Sequence, residues 1–365
     1  MTEGPSISGD TIRTEPIRHV LLVANRNAGV GHGDELLAQL ESRLRAGLDG
    51  EARVETRIVS DHPEARTAAR DFASSSTASC AIIVGGGGGT LRAVIEGAWD
   101  AAAEHKLEGP DRISIGALRL GSGNVLAKQF GVPLDPLEAM SGVATSLRFG
   151  STAPCSVMRC RIGKPGGKFD VRYGVTMCGL GQFGRTSGDL ARWHRRLPRL
   201  RRRLAGRWGI ERLNDWEYVT AMATRVCWAA IWPRSCGQVE LRVQGEVHRL
   251  RMLAGVVMNF PMQMLPFASG VQIEEPALSF HYIPALSPPA SLGMLTPRRL
   301  VKRLRSMKLG RDDCLEIRFL DAEPVEFFLD EDPEVAYGGI TIEVAGLFQF
   351  IPCPEYFCRR DVSKP

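Results

Sequence analysis

The chain has 365 residues, 44% of them hydrophobic and 24% charged. That length fits two or three domains, and the composition excludes collagen-like, disordered and disulfide-scaffold classes. Its 46 basic and 41 acidic side chains leave a net +5, which on so large a surface names no partner. The nine cysteines lie scattered from Cys80 to Cys358 without a C-x-x-C pair. Metal-ligand spacing is therefore absent, and the thiols read as reduced, in a cytoplasmic protein. No cationic leader with an apolar run is present, and no stretch of about 18 apolar residues. The expectation is a soluble chain, peripheral at most on the inner face of a membrane.

Residues 1–17 read as a disordered leader. His19–Ala24 is a buried-strand run, followed by the glycine-bearing loop from Asn25 to Gly33. Leu36, Leu37, Leu40 and Leu44 then fall at helical spacing. Arg53–Ser60 alternates as a strand, and Ala65, Ala68, Ala69 and Phe72 mark a helix. Cys80–Val84 is a second buried run, and Leu91, Val94, Ile95, Ala98 and Trp99 form the apolar stripe of the next helix. A strand at Ile113–Leu118 leads to a glycine-rich turn and a helix beginning near Val125. Strand–helix alternation with short loops implies a doubly wound parallel sheet, an α/β nucleotide-binding domain over 18–150.

Past residue 150 the texture changes to short β-type runs: Cys155–Ile162, Val171–Met177, Gln238–Val243, Arg249–Met258, Leu278–Ile283, Leu315–Leu320, Val325–Leu329 and Ile340–Val344. A helical region over Ile210–Ala230 interrupts them, and a second is expected over Pro297–Met307. The reading is a mostly antiparallel, sandwich-like domain over 151–355, with a tail at 356–365.

Chemistry is carried by three strand-to-helix turns. Gly85 to Gly89 and Thr90 put five glycines between a strand end and a helix start. Glycine lets backbone N–H groups approach an anion, and a helix N-terminus adds its positive end. Asn25 to Gly33 and Gly121-Ser122-Gly123-Asn124 have the same character. In a doubly wound sheet such turns converge at the carboxyl ends of the strands. A set of merely structural turns remains the alternative. Neither G-x-G-x-x-G nor G-x-x-x-x-G-K-[ST] stands in the right place, which disfavours a Rossmann dinucleotide site or a P-loop.

These turns, in the order N-x-x-x-G-x-G-x-G, then G-G-x-G-T-L-x-x-V-x-x-G from Gly86, then L-G-S-G-N-x-L-A from Leu120, resemble the diacylglycerol kinase catalytic family. That family includes bacterial lipid kinases and the sphingosine and ceramide kinases. The likeness spans about 18–355 and is strong over the first 135 residues; Val256–Pro261 and Leu329-Asp330-Glu331-Asp332 are the later matches. It implies ATP and magnesium, a lipid-binding second domain, and transfer of the γ-phosphate to a hydroxyl of a diacylglycerol- or sphingoid-type lipid. Asn25, Arg26, Gly29, Gly86, Gly87, Gly88, Gly89, Thr90, Gly121, Ser122, Gly123 and Asn124 would hold the nucleotide.

The departures from the family pattern fall on its acids. The aspartate of G-G-D-G-T is Gly88, and the G-N-D aspartate of many bacterial members is Val125. The G-x-D turn of the second domain reads Gly181-Gln182-Phe183, and a metal-region aspartate reads Glu275. Two family prolines are Arg26 and Arg119. Phosphoryl transfer needs clamps, metal and proton acceptor together; this chain keeps the clamps and lacks the obvious acceptor. Asp330 and Asp332 are the replacement candidates for catalysis, against a charged hairpin turn, and Glu275 is the metal candidate, against a surface acid. Glu96, two turns into its helix, is expected to face solvent. A catalytically impaired pseudokinase that binds nucleotide or phospholipid is the alternative to an active enzyme. An NAD kinase, which shares the G-G-D-G-T loop, is a third reading that the G-S-G-N-x-L-A turn argues against.

Ala191–Trp208 carries eight arginines, a histidine and two tryptophans. Trp193, Arg195, Arg196, Arg199, Arg201, Arg202 and Arg203 suit an anionic membrane surface. A solvated charged helix and nucleic-acid phosphates are the alternatives; no specific nucleic acid is expected. Met258, Met262, Met264, Leu265 and Phe267 could line a lipid cleft or simply a core.

Overall fold

The computed structural model describes residues 12–13, 17–28, 33–48, 50–76, 79–105, 110, 112–121, 124–232, 235–261, 270–285, 303–321, 323–330 and 332–356, with backbone alone at 12, 13, 202, 205, 210–212, 214, 215, 226, 230 and 231. The chain divides into one unit of residues 1–155 with 347–365 and a second of 156–346. The stretch 347–355, assigned from sequence to the second domain, thus clusters with the first. Inside the stretch read as a leader, β1 (Ile12–Arg13) pairs with Ser151 and Thr152.

In the first unit, β2 (His19–Asn25), α1 (Asp34–Gly47), β3 (Arg53–Val59), α2 (His62–Ser75), β4 (Cys80–Gly86), α3 (Gly88–Glu104), β5 (Ile113–Arg119), α4 (Val125–Gln129) and α5 (Pro136–Arg148) follow in order. The strands pair in parallel in the order β3-β2-β4-β5, with Ala24 opposite Gly85 and Val84 opposite Ala117. β2, β4 and β5 are buried almost throughout, as a parallel sheet covered on both faces requires. The crossovers β2→β3 and β3→β4 run in opposite directions across the sheet. Right-handed connections therefore put α1 and α2 on opposite faces, and α1 indeed packs with α5 while α2 packs with α3.

Helix α5 had no counterpart in the sequence reading, yet its signals are local. Asp135 caps it by accepting from Leu137 and Glu138 N–H at 3.0 and 2.8 Å, and Pro136 opens it. The end of the chain closes this core. Phe350 stacks on Phe130 at 4.1 Å, and Ser146 Oγ donates to the Pro352 carbonyl at 2.6 Å.

Glu96 corrects an expectation. It is 3% exposed, not solvent-facing, and accepts from Arg66 of α2 at 3.0 Å. Gly97 explains the intimacy: a Cβ there would lie 2.3 Å from the Arg66 carbonyl oxygen. The α2–α3 contact is close enough to sink the carboxylate, and the arginine accompanies it.

The second unit is antiparallel. It contains β6 (Ser151–Gly163, entering from the first unit), β7 (Phe169–Gly174), β8 (Met177–Leu180), β9 (Gln238–Val243), β10 (Glu246–Met258), β11 (Leu278–Pro284), β12 (Arg305–Leu309), β13 (Cys314–Phe319), β14 (Val325–Leu329), β15 (Asp332–Ala336) and β16 (Gly339–Phe350, leaving for the first unit). β10 spans two sheets: its first half pairs with β9, its second with β8 and β11. Leu241, Phe280, Leu315, Ile317, Phe327 and Ile342 belong to one buried cluster, giving the sandwich-like core expected.

Two expectations change here. The run Val171–Met177 is broken into β7 and β8, because the N–H groups between them turn to a side chain, described below. Residues 305–307, expected to be helical, lie in β12, where Met307 faces Phe280 and Leu309 faces Leu278 in register. Pairing with a buried neighbour strand overrides local helix propensity. Residues 297–302 and the cleft candidates Met262, Met264, Leu265 and Phe267 lie outside the described residues; Met258 is buried in β10.

Between β8 and β9 the second unit inserts helices: α6 (Gly181–Gly184), α7 (Thr186–Arg196), α8 (Pro198–Trp208) and α9 (Ile210–Ile231). Among the described residues no helix is long and apolar enough to cross a membrane.

Candidate functional site

The sheet order creates a switch point between β2 and β4, whose outgoing connections diverge, and ligands of open α/β sheets bind outside such points. Asn25 ends β2 there, buried, and donates from Nδ2 to Thr90 Oγ1 at 2.9 Å. Its Oδ1 accepts the Asn27 N–H at 2.9 Å. Both residues expected to touch nucleotide thus spend these groups on tying the β2 turn to the first turn of α3. They position the loop. Arg26 follows, exposed, with its N–H on the Val59 carbonyl at 3.1 Å.

Gly86 closes β4, Gly87 is the N-cap of α3, and Gly88 and Gly89 open the helix, the last three half-buried. Gly87 has no side chain to cap the first amides, which leaves these donors for an anion. The second glycine turn comes directly against the first. A Cβ on Gly121 would lie 2.2 Å from Gly87 Cα, and one on Gly87 would lie 3.2 Å from Gly121 Cα. Only backbone fits at that crossing. Asn124, at φ 50, closes the Gly121 turn with Oδ1 accepting the Gly121 N–H at 3.1 Å and Nδ2 donating to the Gly121 carbonyl. Asparagine is among the side chains that tolerate that backbone region. Arg119 ends β5 and donates from Nη1 to the Val132 carbonyl at 3.4 Å.

The structure therefore brings Asn25, Arg26, Gly86, Gly87, Gly88, Gly89, Thr90, Gly121 and Asn124 to the carboxyl ends of the parallel strands β2, β4 and β5. Gly29, Ser122 and Gly123 lie outside the described residues. Segments 25–28, 85–90 and 119–124 contain two arginines and no acid, a composition for holding phosphate oxygens.

The candidates of the second unit behave differently. Asp330 sits in the β14–β15 hairpin at φ 50, 3% exposed, with its carboxylate turned inward. It accepts the N–H groups of Val175 and Thr176 at 2.8 Å, the Thr176 hydroxyl at 2.7 Å and the Met177 N–H at 3.3 Å. This is the break between β7 and β8. Asn259, in the Val256–Pro261 motif, holds the same turn from its carbonyl side by donating to Ser156 and Val175. Asp332 begins β15, half-buried, in register with Leu329.

Glu275, the metal candidate, instead accepts from Lys308 Nζ at 2.7 Å and is 42% exposed. Among the described residues no three His, Cys, Asp or Glu side chains gather as metal ligands. Phe183 packs edge-on against Phe328 at 5.1 Å in the core. Of the basic cluster, Trp193, Arg195, Arg196, Arg199 and Arg203 are exposed. Arg201 is drawn in, donating to Glu217 at 3.4 Å, and the Arg202 side chain lies outside the described residues.

Residues 19–159 match the diacylglycerol kinase catalytic domain family. The fold is similar to that of a diacylglycerol kinase from Bacillus anthracis str. Sterne, at 16% identity over 94% of this chain and 100% of that one, with a TM-score of 0.59. It is also similar to yeast NADH kinase complexed with NADH, at 12% identity over 96% and 87%, with a TM-score of 0.52. No curated protein matches the sequence. The crossed glycine turns and the sheet order lie within residues 19–159, the stretch that matches the diacylglycerol kinase catalytic domain family.

Proposed function

We propose that the protein is a lipid kinase-like phosphotransferase that carries the γ-phosphate of ATP to a hydroxyl of a diacylglycerol- or sphingoid-type lipid at an anionic membrane surface. The crossing of Gly87 on Gly121 carries the reading. It supports a phosphate cradle because it brings two backbone turns into contact, with no side chain between them, at the open end of the sheet. Bound ATP would supply the transferable phosphoryl group. The amides at the start of α3 and the turn closed by Asn124 would hold its phosphate oxygens, with Arg26 beside them. Asn25 and Thr90 would keep the two turns in register.

Magnesium would enter with the nucleotide phosphates. Of the two proposed catalytic acids, Asp330 is committed to the turn at 175–177 and serves as a positioning group. Asp332 is the candidate proton acceptor for the lipid hydroxyl.

The test is transfer from labelled ATP, with magnesium, to a panel of diacylglycerols, sphingoid bases and ceramide. The proposal expects labelled lipid that is lost on Asp332→Asn. Absence of labelled lipid for every acceptor, while a diacylglycerol kinase in the same assay works, would overturn it.

A pseudokinase is the second reading, favoured by glycine at position 88. It predicts that ATP raises the melting temperature without turnover. Gly88→Asp separates the readings: transfer gained by this variant alone marks a chain that retains the machinery and lacks the acid.

A further inference from the structure

Helix α9 is inverted for a helix of a water-soluble domain. Over residues 216–232 the sequence carries only two charges, Glu217 and Arg225, and both face the neighbouring helices. Glu217 pairs with His194 of α7 at 2.8 Å and Arg201 of α8 at 3.4 Å. Arg225 grips Asp189 of α7 through two hydrogen bonds of 2.6 and 2.7 Å. Tyr218 meets Ser187 at 3.3 Å.

The outward face is mostly apolar, with Thr220 and Thr224 also exposed on it. Trp216, Val219, Ala223 and Cys227 recur at helical spacing and are exposed, with Trp228 beside them and Trp232 just past the helix end. Trp216, Trp228 and Trp232 are 65, 53 and 56% exposed, and the last two stack at 5.3 Å. Of the six tryptophans in the chain, all five in this insert are exposed. Water gives such a face no favourable partner, and tryptophan prefers a boundary that is apolar on one side and wet on the other.

Charge decides what the partner is. Helices α7 and α8 expose Arg195, Arg196, Arg199, Arg203 and Arg207 on the same insert. A second copy meeting this surface through a two-fold contact would oppose arginines to arginines. An anionic leaflet offers phosphates to the arginines and an acyl boundary to the tryptophans.

We propose that α7–α9 is an interfacial docking element, in which the outer face of α9 enters the headgroup–acyl boundary of an anionic membrane while the exposed arginines of α7 and α8 hold its phosphates. The inference rests on the lipid-kinase reading, naming the surface by which the protein meets its membrane. Its test needs no phosphoryl transfer.

The full-length protein is mixed, without nucleotide, with vesicles of phosphatidylcholine alone or of phosphatidylcholine with phosphatidylglycerol, and floated. The expected result is flotation with the anionic vesicles only, weakened by salt, a blue shift of tryptophan emission, and slower alkylation of Cys227, read by mass spectrometry. Trp228→Ala with Trp232→Ala weakens binding at least about tenfold, and Arg195→Gln or Arg199→Gln about fivefold each at low salt.

Failure to float overturns the inference, as does flotation indifferent to the tryptophans in variants with an unchanged melting curve. So do a dimer in solution that the tryptophan substitutions dissolve, and tryptophan-independent binding to RNA or DNA in place of vesicles. Should the paired variant unfold, vesicle protection of Cys227 in the unaltered protein decides alone. Thermal stabilisation by ATP, measured without lipid, reads the kinase site separately, so the two failures are distinguishable.

Discussion

The glycine turns of the first unit and the helical insert of the second reach opposite solutions to the problem of presenting chemistry at a surface. At the turns, side chains are removed: Gly87 and Gly121 cross backbone on backbone, and what is offered is a set of fixed dipoles. In the insert, side chains are everything. Glu217 and Arg225 of α9 are turned inward to ion pairs, and its tryptophans are turned out. A backbone site such as the Gly87–Gly121 crossing tolerates no added atom. A side-chain surface tolerates substitution freely and changes only in what it binds.

The largest effect belongs to neither region and sets the scale. Asp330→Ala strands three backbone N–H groups at the 175–177 turn, at a cost of about 3–5 kcal/mol. Urea unfolding followed by circular dichroism reads it directly. A midpoint unchanged from the parent would remove Asp330 from its structural role.

Next comes the glycine crossing. Gly121→Ala forces the two turns apart, costing about 2–3 kcal/mol, and should abolish stabilisation by ATP even where the unit remains folded. Retained ATP stabilisation would break the first half of the comparison.

A smaller effect is expected from pH. Burial of Asp189 opposes its charge, but hydrogen bonds from Arg225 and Arg192 outweigh this and hold the carboxyl below its ordinary value of 3.8. A depressed folded value stabilises the insert above the ordinary value, and the stabilisation is lost as pH falls through the lower one. The amount is on the order of 1 kcal/mol after solvent screening. Protection of α7 and α9 against hydrogen exchange, relative to the intrinsic rate at each pH, should fall below about pH 4 before the glycine turns loosen; simultaneous loosening would count against an independent insert.

Smallest is the stability change on Trp228→Ala, within about 0.5 kcal/mol, even though membrane binding should fall severalfold. A large loss of stability would mean that the tryptophan packs as core and that the inverted reading of α9 is wrong.

How much of this was legible in the sequence follows the same division. The parallel strands announce themselves as unbroken apolar runs, and the three glycine turns stand at the strand ends, where local composition suffices. Helix α5 carries a legible Asp135-Pro136 start. Glu96 was not legible as a buried residue, because its burial depends on Gly97 admitting the neighbouring helix. The strand at 305–309 is made by its pairing with β11, a contact invisible in the local pattern. Asp330 stood out as an acid near the end of the chain, but its partners lie about 155 residues earlier in the turn at Val175–Met177. The arginines of 192–207 were conspicuous as a run. The tryptophans of α9 were not, since which face of a helix is outward depends on what it packs against.

The crossed glycine turns are proposed to hold a nucleoside triphosphate by its phosphates. Isothermal titration of the full-length protein with ATP tests it most directly. The account predicts saturable binding that Gly121→Ala eliminates; no detectable heat or stabilisation from ATP in the parent protein, or binding that survives in the variant, would contradict it.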